Sequence, residues 1–235
     1  MRPIERGSTP NDANGLPIQF TKYQEARGHL IERIGAYCSY CERALGGDTA
    51  VEHIQPKSLV PGLTLSWDNF LLACVNCNSI KTNKQITLSN YFWPDNDNTA
   101  MAFEYSVGAI ISPSQTLNAH QRQVAINTIK LTGLDRVPSL DPLINPEATD
   151  RRWRERRTAY DKAERAKTRL RDSDTIQMRE QIVETATSTG FFSIWMNVFK
   201  DDVNMMTRFI SAFVGTSISC YDTNCTLIPR PNGVI

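Results

Sequence analysis

No charge of one sign dominates this 235-residue chain: 26 Lys and Arg stand against 25 Asp and Glu, a net of +1. That balance excludes a global basic field around a polyanionic partner, so any nucleic-acid surface must be local. Long apolar runs are missing as well. No segment is long enough to span a bilayer, and the opening MRPIERGSTPNDANG lacks the apolar stretch of a signal peptide. The expectation is a cytoplasmic protein without a membrane partner. Internal repeats and low-complexity tracts are absent too, and histidine is scarce, with three residues in all.

What is present is ordinary for a globular chain, at 40% apolar and 22% charged residues. The length suffices for one large domain, or a small domain plus an extension, with a sizeable core. Six cysteines in a chain without a secretion signal read as metal ligands or free thiols, since a reducing compartment disfavours disulfides. Four of them form two Cys-x-x-Cys pairs: Cys38 and Cys41 in YCSYCER, Cys74 and Cys77 in LLACVNCNSIKTNK. This spacing suits a tetrahedral four-thiolate zinc site, which has no open coordination position and is therefore structural. Its binding energy would be folding energy for the segment it staples. Cys220 and Cys225 fit no strong metal pattern and read as ordinary thiols.

Between the pairs lie 32 residues, more than the roughly 15 to 20 of common zinc ribbons. The excess holds VEHIQPKS and SWDNFLL. Residues 1–20 read as an extended or poorly ordered arm, and Tyr23 to Ile34 as a helix leading into the first pair. Residues 48–55 look like a strand, Pro56, Pro61 and Gly62 force a loop, and 70–73 form a short apolar run before a helix opening at 78–84. A hairpin is expected across Phe103 to Ile111, and a helix from His120 to Leu131 ended by Gly133. His120, in that helix, reads as non-catalytic.

From Asp150 to about Thr187 the sequence predicts one long charged helix or two in series. Its first part, DRRWRERRTAYDKAERAKTRLRD, sets ten Lys or Arg against five Asp or Glu. It is either a solvated face laced with ion pairs or a phosphate-tracking stripe with Trp153 and Tyr160 among the cations. After Gly190 the apolar positions Phe191, Ile194, Trp195, Val198, Phe199, Val203, Met206, Phe209, Ile210 and Phe213 recur at helical spacing. They read as core or as a partner-binding face.

The run Glu52-His53-Ile54-x-Pro56-Lys57, then Trp67-x-Asn69-Phe70-Leu71-Leu72, then Cys74-x-x-Cys77-Asn78-x-x-Lys81 resembles the HNH endonuclease motif in its zinc-knuckle form. The resemblance implies a ββα-metal unit that cuts nucleic-acid backbones with a divalent ion, Mg²⁺ or Mn²⁺. By position it makes His53 the general base, Glu52 and Asn78 the metal ligands, and Asn69 the brace that orients the histidine. Many family members carry Asp where this chain has Glu52, and His where it has Asn78. More loosely, the opening Met1-Arg2-x-Ile4, the Glu-His-Ile-x-Pro-Lys form and the helix AINTIKLTGLDR resemble retron-associated and Septu-type (PtuB-like) HNH proteins. Those are taken to be antiphage nucleases of bacteria that work with an ATPase partner.

The chemistry wants these residue types on its own account. A phosphodiester repels nucleophiles, so a divalent ion must neutralise developing charge and a base must take the proton from water. Histidine is neutral and accepting near pH 7. A carboxylate and an amide oxygen are donors that Mg²⁺ accepts. Lys57, Lys81 and Lys84 lie near enough in sequence to meet phosphates. The expected fold is α+β: an arm at 1–20, a zinc-stapled ββα-metal HNH nuclease core at 21–117, and a mainly helical region at 118–235 that binds a partner or nucleic acid. The expected activity is phosphodiester hydrolysis, with DNA as the favoured substrate and two copies required to cut both strands. The alternative is a non-catalytic zinc module that binds nucleic acid or a protein.

Overall fold

In the computed structural model, which describes residues 1–47 and 49–235, the segment between the cysteine pairs folds as a hairpin followed by a helix. Strand β1 (Ala50–His53) pairs antiparallel with β2 (Phe70–Ala73), in the register Val51 to Leu72, Glu52 to Leu71 and His53 to Phe70. Asp48, the first residue of the expected strand, lies outside the described residues. All four β2 residues are buried, as a short apolar strand covered on both faces requires. Helix α1 (Ala26–Ile34) packs on this hairpin through Ala26, Leu30 and Ile34, after a single tight turn at Tyr23–Glu25.

Helix α2 (Val75–Lys81) begins three residues before the expected start. Cys74 caps it, its Sγ accepting from Cys77 N at 3.4 Å, so one side chain serves as both knuckle residue and helix cap. A short helix α3 (Thr99–Ala102) leads into a second hairpin, β3 (Phe103–Tyr105) against β4 (Ile111–Pro113). Helix α4 (Ala119–Thr132) opens on a capping box of Asn118 and Gln121 and closes on Gly133 at φ +63°.

The charged stretch divides into α5 (Arg152–Asp172) and α6 (Ile176–Thr189), with Thr175 capping the second. Helices α7 (Phe192–Val198) and α8 (Val203–Ala212) follow. Two apolar cores result. The first joins the hairpins to α1, α2 and α4, so α4 packs with the expected nuclease region. The second is built by α5 to α8, with Phe191, Ile194, Trp195, Val198, Phe199, Phe209 and Phe213 all buried in it. Those residues form core in this chain, while Val203 of the same periodic series is exposed and Ile210 half-buried.

Residues 1–4 are buried rather than loose. The Arg2 guanidinium donates to the carbonyls of Ile34, Phe213 and Val214, and Ile4 bridges Thr216. Polar bonding holds this segment, which is why apolar periodicity does not announce it. The helical half meets the first knuckle at Glu42, whose carboxylate accepts from Ser193 N at 2.8 Å and Ser193 Oγ at 2.6 Å.

Gly190 lies against the same knuckle at φ +76°, where a Cβ would stand 2.6 Å from Ala44 N and Glu42 O. Gly190→Ala is therefore predicted to cost about 3 kcal/mol through left-handed strain and backbone overlap. Urea denaturation of the zinc-loaded protein checks this, and an unchanged midpoint would contradict the close approach.

Candidate active site and metal centre

The two knuckles bring Cys38, Cys41, Cys74 and Cys77 together, with all four sulfurs within 4.8 Å of one another and all four residues buried. Sulfurs arranged tetrahedrally at about 2.3 Å from a zinc ion would be about 3.8 Å apart, and the Cys41–Cys74 separation is 3.7 Å. The donor set and its spacing fit zinc. Among the described residues no other cluster of this kind occurs. Cys220 and Cys225 remain free thiols in the helical half.

Arg152, at the start of α5 and 75 positions along the chain, donates from Nη1 to Cys77 Sγ at 3.1 Å. Its other donors reach Thr132 O at 2.7 Å, Gly133 O at 3.1 Å and both oxygens of Asp150. A buried guanidinium with every bond directed is well suited to offset the negative charge of a metal tetrathiolate.

Of the expected catalytic residues, Glu52 and His53 lie on β1, Asn69 immediately precedes β2 and Asn78 lies on α2. Strand alternation sends Glu52 and His53 to opposite faces. Glu52 turns to α2, where Lys81 Nζ stands 2.7 Å from its Oε1 and donates to His53 O, also at 2.7 Å. Lys81 is completely buried, so the expectation that it meets phosphate is corrected: the ammonium locks the strand to the helix. Cys77 and Lys81 are the buried residues of α2, and Asn78, half-buried, stands three positions before Lys81.

Lys81 and Glu52 form a buried ion pair across the strand–helix contact. Burial pushes the Glu52 carboxyl above its ordinary range, and Lys81 opposes that rise. A carboxylate and an amide oxygen, as Glu52 and Asn78 offer, fit in donor type what a hard divalent cation requires, with Glu52 paired to Lys81 in this structure.

His53 faces the other way, edge-on to Tyr23 at 4.9 Å and to Phe70 at 5.3 Å between ring centroids. Its Nε2 lies 3.0 Å from Thr64 O. A carbonyl only accepts, so Nε2 carries the proton and Nδ1 holds the free lone pair. Burial lowers the His53 pKa below the usual 6.5, with Lys57 and Lys81 adding to that effect and the Thr64 carbonyl opposing it.

Asn69 is buried and closes the loop that supplies Thr64: Oδ1 accepts from Gln55 N at 2.8 Å, and Nδ2 donates to Gln55 O at 2.9 Å and to Leu63 O at 3.3 Å. Lys57 is exposed, with Nζ 4.3 Å from the Tyr23 ring centre, and Lys84 is exposed beyond α2. His120 is exposed in the first turn of α4. Sequence reasoning did not single out Tyr23, the Thr64 carbonyl or Arg152. The first two carry no pattern, and the third is hidden among ten cations.

Arg152→Ala is predicted to weaken zinc binding ten- to a hundredfold, and Arg152→Lys to recover little because an ammonium cannot reproduce the directed fork. Competition with a chromophoric chelator measures both, and wild-type affinity in Arg152→Ala would remove the guanidinium from the account.

No curated protein sequence matches this chain. Among the described residues no helix is long and apolar enough to cross a membrane. The segment that carries both knuckles and the Glu52–His53 strand, residues 38–84, matches the family model of the HNH endonuclease.

Proposed function

We propose that the protein is a metal-dependent nuclease that hydrolyses nucleic-acid phosphodiester bonds, with DNA as its substrate. The observation that carries this reading is the state of His53, whose Nε2–H is held by Thr64 O so that Nδ1 is left to accept a proton. Glu52, its neighbour on β1, turns its carboxylate toward α2, where Lys81 holds it.

In this reading His53 Nδ1 takes the proton from the attacking water. Glu52 and Asn78 would hold a Mg²⁺ or Mn²⁺ ion, which when bound supplies positive charge against the developing charge on the phosphate oxygens. Asn69 keeps the loop closed so that Thr64 O fixes the tautomer. Tyr23 and Phe70 limit the ring's rotation. Lys57 and Lys84, both exposed, position the phosphate backbone. Lys81 positions Glu52 and the His53 carbonyl from within.

The same reading places the protein in antiphage defence beside an ATPase partner. Support for that setting is the resemblance carried by Met1-Arg2-x-Ile4, the Glu52–Lys57 form and the α4 sequence.

Plasmid cleavage with Mg²⁺ or Mn²⁺ tests the chemistry. His53→Ala is expected to lose about 10²- to 10⁴-fold in rate, with zinc content and melting temperature unchanged. A variant that cuts as fast as the parent would sink the assignment. The pH profile gives a second test. Because the His53 pKa is lowered, its basic form persists below pH 6.5, so the rate should be flat near neutrality and fall only as pH drops through a midpoint under that value. A midpoint above 6.5 would contradict the burial argument.

A further inference from the structure

Helix α5 divides its many cations between two environments. Arg152 and Arg156 are buried, and the phosphate-tracking reading of the helix cannot involve them. On another face, Arg151, Arg154, Thr158 and Lys162 recur at three- and four-residue intervals and so form one row along the helix. This row makes one wall of a groove of about 390 Å³, and Arg43, two residues beyond Cys41, stands on the other side.

Four cations therefore face a single carboxylate, Glu155, in a chain whose overall net charge is +1. Glu155 is paired with Arg43 at 2.8 Å. Lys162 reaches Thr189 Oγ1 at 3.5 Å, while Arg151 and Arg154 are exposed with no carboxylate partner among the described residues. Solvated helix faces usually interleave opposite charges. Here the one carboxylate of the groove is taken up by Arg43.

We infer that this groove is a second nucleic-acid contact, which holds the phosphate backbone of the substrate beside the first zinc knuckle. The inference rests on the nuclease reading for the identity of its ligand. Its own support is the geometry of the row. From Arg151 to Lys162 the helix rises about 16 Å, close to five base steps of a duplex at about 3.4 Å each. Guanidinium groups pair with phosphate oxygens through two parallel bonds, which a row of lysines alone would not offer. Arg43 sets the register: Cys38 N donates to Arg43 O at 3.0 Å, and Arg43 bridges Gly190 through its backbone. The groove is thus attached to the metal-stapled segment.

The test is binding of the zinc-loaded full chain to labelled duplex DNA, single-stranded DNA and RNA, without added divalent ion, across a range of salt concentration. The double variant Arg151→Gln, Arg154→Gln is compared with Arg157→Gln, Arg171→Gln, which removes the same charge from exposed positions on a different face of α5. The groove variant should bind about tenfold or more weakly at low salt, and its log–log salt slope should be shallower by about two. The control pair should match the parent. Equal losses in both pairs, an unchanged slope in the groove pair, or no binding by the parent would each overturn the groove.

His53→Ala separates this inference from the nuclease reading. If the parent binds and the groove pair does not, yet neither the parent nor His53→Ala cuts, the groove stands and the nuclease reading falls. If the parent cuts, His53→Ala does not, and the groove pair binds as the parent does, the groove falls alone.

Discussion

Four sulfurs gathered from two knuckles are the constraint on which the rest of this structure depends. One knuckle precedes β1 and the other opens α2, so closing the cluster fixes both ends of the hairpin and the start of the helix at once. The register of β1 on β2 then determines which residue faces α2 and which faces the loop. A one-residue slip would exchange Glu52 and His53 between those two surroundings.

Electrostatic compensation runs outward from the same place. Lys81 lies one helical turn beyond Cys77 and neutralises Glu52, whereas Arg152 crosses from the helical half to Cys77 itself. Each is a buried cation beside a group that would be costly to leave alone. The helical half is thereby fastened to the knuckles by charge as well as by the contact of Gly190 and Glu42. His53 is handled differently. It sits among aromatic rings with one nitrogen committed to a carbonyl, in surroundings that favour its neutral form.

The residues that could be read from the sequence are those whose chemistry is local. Cys-x-x-Cys pairs, a Glu-His dipeptide in a β-like run and an Asn directly after the second pair are patterns of spacing, and the hairpin arises where that spacing places it, with α2 starting three residues earlier than expected. The capped helix α4 was legible for the same reason, since Gly133 follows an apolar-periodic segment. What the sequence hid are charges whose partners lie far along the chain. A lysine near a catalytic motif reads as a phosphate ligand until Glu52 is seen against it, and Arg152 and Arg156 look like their solvated neighbours until the packing of α5 separates them. Cys74 as a helix cap was equally hidden, because capping preferences favour small oxygen-bearing side chains.

The partners of the knuckles also set how the chain must find its shape. Cys41 meets Cys74 across 33 positions, Arg152 meets Cys77 across 75, and Ser193 meets Glu42 across 151. Contacts of such separation are formed only after large loops have closed, and topologies rich in them fold slowly at a given stability. A metal bound early by the two knuckles would shorten the search for the first of these closures. The helical half would still have to arrive over the longest separations, so assembly would be paced by docking of α5 and α7 rather than by formation of the hairpin.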